Sequence, residues 1–117
     1  MQDVRKILND FTNGVGEMSE ANPELVNAFM GLQGAAFSEG ALSVKTKELI
    51  SVAIGAYNRC QYCIVYHVYN AYKAGATREE ILEAAGVVIG GFGAGPSMAY
   101  SATVLLDVVN EFEHDFD

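Results

Sequence analysis

Apolar residues recur at helical spacing from one end of this chain to the other, and no stretch alternates apolar and polar residues as a half-buried strand would. A chain patterned this way can bury its apolar faces only by packing helix against helix. At 117 residues it suits one domain spanning residues 1–117, because a core of that size closes without splitting. The expected architecture is an all-α bundle of about six helices with short connections and antiparallel neighbours.

Caps place the helices along the chain. Asp3 caps a first helix striped by Val4, Ile7, Leu8, Phe11, Val15 and Met18, and Gly14 and Gly16 predict a frayed end. After a loop, Asn22 and Pro23 supply an N-cap with proline at the first helical position, and Leu25, Phe29, Leu32 and Ala36 are expected to face inward up to Gly40. Ser43 caps a third helix, from Val44 to about Tyr57, whose run of Leu49, Ile50, Val52, Ala53, Ile54 and Ala56 predicts a central helix buried on most sides. Asn58-Arg59 reads as a short break. Cys60 then opens a helix that ends at Gly75 in a left-handed cap. Thr77 and Glu80 form a capping box for a helix striped by Ile81, Ala85, Val88 and Phe92. A last helix is striped by Met98, Ala102, Leu105, Val109 and Phe112, and the acidic tail from Glu113 to Asp117 reads as solvated.

Several function classes fall away. The glycines between Gly90 and Pro96 lack a preceding strand and a Gly-Lys-Ser/Thr end, so they suit a tight turn or close helix contact and not a phosphate cradle. Fifteen acids against seven bases give a net charge of −8 with no basic stripe, which argues against nucleic acid. The most apolar stretch, Ile81 to Tyr100, contains Glu83, four glycines between Gly90 and Gly95, and Pro96, so no membrane span is expected. The opening Met1-Gln2-Asp3-Val4-Arg5-Lys6 lacks the layout of a signal peptide, and a cytoplasmic location is expected. Half the residues are hydrophobic, while a domain this small leaves about a third of its unfolded surface in water. Uncovered apolar surface, and hence a homo-oligomer, is predicted.

The chemistry gathers at Cys60, Cys63 and His67, spaced three and four residues apart. On a helix they span about 60° of the circumference and share one face. Two thiols one turn apart reach disulfide geometry, and in a reducing compartment such a pair is more often catalytic or metal-binding than a structural staple. The positive end of the helix favours a thiolate, most of all at Cys60, while His67 is placed to deprotonate Cys63. Residue physics leaves both sulfurs as candidates for the attack. Rival readings are a pair of small buried side chains, or a zinc site that would need a fourth ligand from elsewhere. Haem attachment would need a histidine where Ile64 stands. The row of Tyr62, Tyr66 and Tyr69 reads as core or subunit contact, with Tyr62 a lesser candidate for site contact. Glu48, three residues after Lys45, reads locally as an exposed carboxylate in a weak surface pair, and His114 as exposed and inert.

The stretch from Glu48-Leu49-Ile50 through Cys60-Gln61-Tyr62-Cys63-Ile64-Val65-Tyr66-His67 to Ala74-Gly75-Ala76-Thr77 resembles the carboxymuconolactone decarboxylase family and its AhpD-like alkylhydroperoxidase branch. The branch's pattern is a Glu, eleven residues, Cys, two residues, Cys, three residues and His, and every spacing is met. The resemblance covers the chain from about Pro23 to Phe112. It implies an all-helical fold assembled as trimers or hexamers, with the CxxC at a helix N-terminus facing a cleft. It implies Cys63 as the attacking thiol of a peroxidase, Cys60 as its resolving partner, and Glu48 with His67 as a proton relay. No cofactor is implied. The substrate would be a peroxide or a disulfide, and the reductant a dithiol borne by a lipoyl or thioredoxin-like protein. The chain departs from the branch at Tyr62, where its best-known members carry a second histidine; tyrosine is a weak base at neutral pH and would route protons differently. Two other activities follow from the same resemblance and residues: decarboxylation of a carboxylated lactone, which needs no thiols and for which Arg59 is the nearest cation, and a non-enzymatic, metal-binding helical module.

Overall fold

The first five helices each start where a side chain accepts from an N–H group of the first turn. The computed structural model describes residues 3–117; Met1 and Gln2, which open the segment read above for a leader, lie outside the described residues. Helix α1 spans Val4–Ala21 and is capped by Asp3, which accepts from the Lys6 N–H at 3.1 Å. Helix α2 spans Pro23–Phe37 and is capped by Asn22. Helix α3 spans Val44–Asn58, with Ser43 Oγ accepting from the Thr46 N–H at 3.0 Å. Helix α4 spans Gln61–Lys73. Helix α5 spans Arg78–Gly91 behind the expected capping box, in which Thr77 Oγ1 accepts from the Glu80 N–H and Glu80 Oε1 from the Thr77 N–H. Last come α6 (Ala94–Tyr100), a π-helical turn (Ser101–Leu105) and α7 (Leu106–Phe112), joined end to end as one rod. Six rods therefore form an all-α fold, with no strand among the described residues.

Gly75 takes the left-handed conformation expected of it, φ +94°. The Ala76 N–H reaches the Ala71 carbonyl and the Gly75 N–H the Tyr72 carbonyl, which closes the end of α4. Gly14 and Gly16 do not fray α1, which runs through both to Ala21. A helix-interior glycine costs only about 1 kcal/mol, and here the helical ladder continues to a better stop. Asn22 replaces the expected loop: its N–H donates to the Met18 carbonyl while its side chain accepts from the Leu25 N–H.

The core lies where α3, α4, α5 and the final rod meet. Val52 and Ala56, Ile64, Val65, Val68 and Ala71, Ile81 and Ala85, and Leu105, Val109 and Phe112 are all buried there. Tyr72 joins them and donates its hydroxyl to the Val109 carbonyl at 3.0 Å. Three expectations about burial are corrected. Helix α3 is buried on one side only, since Ile50 and Ile54 are exposed. Helix α2 does not turn Leu25, Phe29, Leu32 and Ala36 inward; Leu32 is 70% exposed and Val26 is the buried residue of that helix. Periodicity identifies an apolar face, but burial needs a neighbour, and α2 lies mainly against α1. In the final rod Met98 and Ala102 are exposed while Ser97 and Ser101 are buried in line with Leu105. The wider π turn changes the angular step per residue, so a stripe drawn at 3.6 residues per turn fails across it.

The acidic tail is exposed from His114 to Asp117, as expected, and is tied to the body by surface ion pairs. Arg5 grips Asp115 at 2.6 and 3.0 Å and Glu111 at 3.3 Å, while Arg78 pairs with Glu113 and donates to Asn110. His114 is exposed, as expected. Among the described residues no helix is long and apolar enough to cross a membrane.

A candidate redox site at a helix N-terminus

The corner between α3 and α4 is made by a single residue in an uncommon conformation. Arg59 ends α3 with φ 54° and ψ 44°, a left-handed geometry that L-residues other than Asn and Asp seldom adopt. The turn carries the Cys60 N–H onto the Gly55 carbonyl at 3.0 Å. Cys60 thereby becomes the N-cap of α4, and its Sγ accepts from the Cys63 N–H at 3.2 Å. The Cα atoms of Cys60 and Cys63 are 5.2 Å apart and the two sulfurs form a disulfide.

Gly55 makes this arrangement compact. A Cβ placed on it would lie 3.3 Å from both the Cys63 Cβ and the Ile64 Cγ1, so the missing side chain lets α3 press against the first turn of α4. Gly55 was not legible as a site residue from the spacing of the cysteines and the histidine. Its signal was a lone glycine inside a strong helical run, which commonly marks close packing.

His67 lies on the same face of α4, one turn beyond Cys63. Its Nδ1 is 2.8 Å from Oε2 of Glu48. Glu48 is 5% exposed, which overturns its reading as a surface carboxylate paired with Lys45. Lys45 reaches Glu80 of α5 instead, at 3.0 Å. Glu48 belongs to the buried face of α3 with Val52, Gly55 and Ala56, at intervals of four, seven and eight residues. A carboxylate taken out of water needs a hydrogen-bonding partner, and His67 supplies it. An ionised Glu48 can only accept, so Nδ1 is the donor of this contact, and in a neutral ring that tautomer leaves the lone pair on Nε2, as a base requires.

Two aromatic side chains frame the imidazole. Phe37, the last residue of α2, stacks on it with centroids 5.5 Å apart and planes 8° from parallel, and Tyr66 meets it edge-on. Phe37 was not legible as a site residue, because nothing in the spacing of α2 links it to a residue 30 positions away. Tyr62 is 55% exposed and makes no side-chain hydrogen bond among the described residues. Tyr66 packs on Phe11, and Tyr69 on Phe112 and Phe116.

The structure thus joins Cys60 to Cys63 at the α3–α4 corner and His67 to Glu48 one turn further along α4, and leaves Tyr62 outward. Once reduced, Cys60 would have the first-turn N–H of Cys63 aimed at its sulfur, a contact that favours thiolate. Among the described residues no group of three or more His, Cys, Asp or Glu is arranged to hold a metal ion.

Comparison with known proteins extends the picture. A model of the carboxymuconolactone decarboxylase family matches residues 23–106. An uncharacterized protein of Cupriavidus necator is 32% identical over 103 residues, covering 88% of this chain and 90% of the relative. Uncharacterized protein 4 in the cox locus of Paracoccus denitrificans is 43% identical over 70 residues, 60% of this chain and 63% of the relative. The crystal structure of a carboxymuconolactone decarboxylase family protein from Legionella pneumophila superposes with a TM-score of 0.88 at 38% identity, covering 94% of this chain and 96% of that one.

Proposed function

The chain belongs to the carboxymuconolactone decarboxylase family, and on that premise we propose that it is a thiol-disulfide oxidoreductase of the AhpD-like alkylhydroperoxidase type. The observation that carries this reading is the Cys60–Cys63 disulfide on the helical face of His67, whose Nδ1 is engaged by buried Glu48. A histidine so held has one nitrogen committed and the other open to a thiol proton.

In the proposed cycle His67 takes the Cys63 proton and the thiolate attacks the terminal oxygen of a hydroperoxide. The O–O bond breaks, the alcohol leaves with a proton returned from His67, and Cys63 becomes a sulfenic acid. The Cys60 thiol then attacks that sulfur, water departs, and the disulfide forms. Two thiols and one hydroperoxide thus yield a disulfide, an alcohol and water. A dithiol reductant, on a lipoyl or thioredoxin-like carrier by family resemblance, restores the thiols. The choice of Cys63 as attacker follows the resemblance and the placement of His67, against the cap contact that favours a Cys60 thiolate.

The exposed apolar face of α2, with Leu25, Phe29 and Leu32, supports assembly into a trimer or hexamer. The test of the function is hydroperoxide consumption with dithiothreitol as reductant. Cys63→Ser is expected to abolish it, and unchanged turnover in that variant would refute the assignment.

A further inference from the structure

Between α1 and α2 lies a groove of about 310 Å³ with apolar walls, Phe11, Val15 and Met18 on one side and Leu25, Val26 and Phe29 on the other. Met18, Leu25 and Phe29 are half exposed or more, and Met30 and Leu32 carry the apolar surface on along α2. These five side chains leave on the order of 500 Å² in water, the greater part of the roughly 800 Å² that one partner buries in a stable complex. Two routes join the groove to the imidazole. Phe11, in one wall, packs on Tyr66 with ring centroids 5.2 Å apart, and Tyr66 meets His67 edge-on, also at 5.2 Å. Helix α2, the other wall, ends at Phe37, which stacks on His67 at 5.5 Å. That helix rests mainly on α1, and Val26 is its buried residue.

We propose that a second copy of this chain seats in the α1–α2 groove and thereby fixes Phe37 over the His67 ring, so that the redox site is complete only in the assembly. The inference rests on the redox reading above and adds to it a requirement for association. Charge selects the occupant. Two copies of net charge −8 repel unless they meet where charge is sparse. The groove lining is uncharged, and α2 holds a single charged residue, Glu24, among its fifteen. A helix with so little polar surface needs a cover beyond the one neighbour it has in the protomer. In the lone protomer α2 can shift along α1 at small cost, and Phe37 moves with it. A partner that covers Leu25, Phe29 and Leu32 penalises that shift. Phe37 is therefore a positioning residue, acting through the ring it stacks on while Glu48 holds Nδ1 of the same ring.

The experiment follows three quantities in the same samples: sedimenting mass, turnover of tert-butyl hydroperoxide per protomer with dithiothreitol, and the proton resonance of the His67 Cε1–H, told apart from that of His114 by a His114→Gln variant. The unaltered protein is compared across dilution and with Leu32→Glu, which places a like charge on the exposed face. Turnover is expected to fall by about tenfold as the assembly dissociates, the worth of one aromatic pair. The His67 resonance should lose the ring-current displacement that a stacked Phe37 imposes, as it does in Phe37→Leu. In the Phe37→Leu background neither dilution nor Leu32→Glu should lower turnover further, and Phe37→Tyr should behave as the unaltered chain. Dilution repeats the test without a substitution, should Leu32→Glu unfold. A monomer at every concentration, or an unchanged mass in folded Leu32→Glu, overturns the seat. Dissociation that leaves turnover and the His67 resonance unmoved, or that lowers turnover equally in Phe37→Leu, overturns the coupling. No turnover at any concentration overturns the proposed function, and the mass and the resonance then still decide the present inference.

Discussion

Helices α2 and α4 are neighbours in length and alike in hydrophobic content, yet they stand in opposite situations. Helix α4 buries Ile64, Val65, Val68, Ala71 and Tyr72 against four other rods, while α2 buries Val26 and leaves Leu25, Phe29, Met30 and Leu32 in contact with water. The redox pair sits on the helix whose position is overdetermined by packing. The stacking aromatic, Phe37, sits at the end of the helix whose position is not. A reactive centre needs groups held within a fraction of an ångström, and here the sulfurs receive that support from the core while part of the imidazole's setting depends on a more weakly anchored element.

Substitutions can break or sharpen this contrast. The largest effect is expected from Ile64→Ala, which empties a fully buried site behind the CxxC and should cost about 2–5 kcal/mol in urea unfolding. Gly55→Val comes next, at about 1–3 kcal/mol, because its side chain would push α3 away from the first turn of α4; slower closure of the Cys60–Cys63 disulfide after reduction should accompany the loss of stability. Phe37→Leu should leave disulfide formation intact but lower hydroperoxide turnover by up to about tenfold, the worth of one aromatic pair. It should also shift the pH profile, and Phe37→Tyr should restore both. An unchanged profile in the leucine variant would mean that the stack has no part in setting the imidazole. Leu32→Glu should keep the helical content by circular dichroism and reduce the sedimenting mass. If it unfolded the chain instead, α2 would belong to the protomer core and the contrast would collapse.

The smallest effect concerns the ends of the chain. Arg5 holds the Asp115 carboxyl below its ordinary value of 3.8, chiefly through their hydrogen bond. A carboxyl depressed in the folded state contributes stability above its unfolded value, and that contribution is lost as pH falls through the folded one. Asp115→Asn should therefore flatten slightly the decline in thermal midpoint on acidification below pH 3.8, and the difference from the unaltered chain should shrink in high salt.

Local signals were legible wherever one short segment decides the outcome. The caps at Asp3, Asn22, Ser43 and Thr77 and the left-handed stop at Gly75 follow from chemistry within a few residues, and so does the common face of Cys60, Cys63 and His67. What escaped depended on a second element. Lys45 three residues away suggested a surface setting for Glu48, although its spacing to Val52 and Ala56 already put it on the buried face, and its partner lies 19 residues on. The exposed face of α2 looked like a core face because periodicity reports amphipathicity and not its cover. The stripe of the last helix was drawn with one period through a segment that has two.

That π turn has a consequence for how the chain tolerates insertions and deletions. A π turn is equivalent to one extra residue accommodated within an α-helix. Removing one residue between Ser101 and Leu105 would let the final rod become uniformly α-helical and improve its local hydrogen bonding. Because the wider turn already absorbs the roughly 100° that an extra residue adds, the faces on either side would keep their places: the buried line of Ser97, Ser101, Leu105, Val109 and Phe112 would become a regular α-helical stripe. The segment thus stores one residue without disturbing the core on either side of it. A homologue lacking that residue is expected to keep the same C-terminal core on an uninterrupted α-helix.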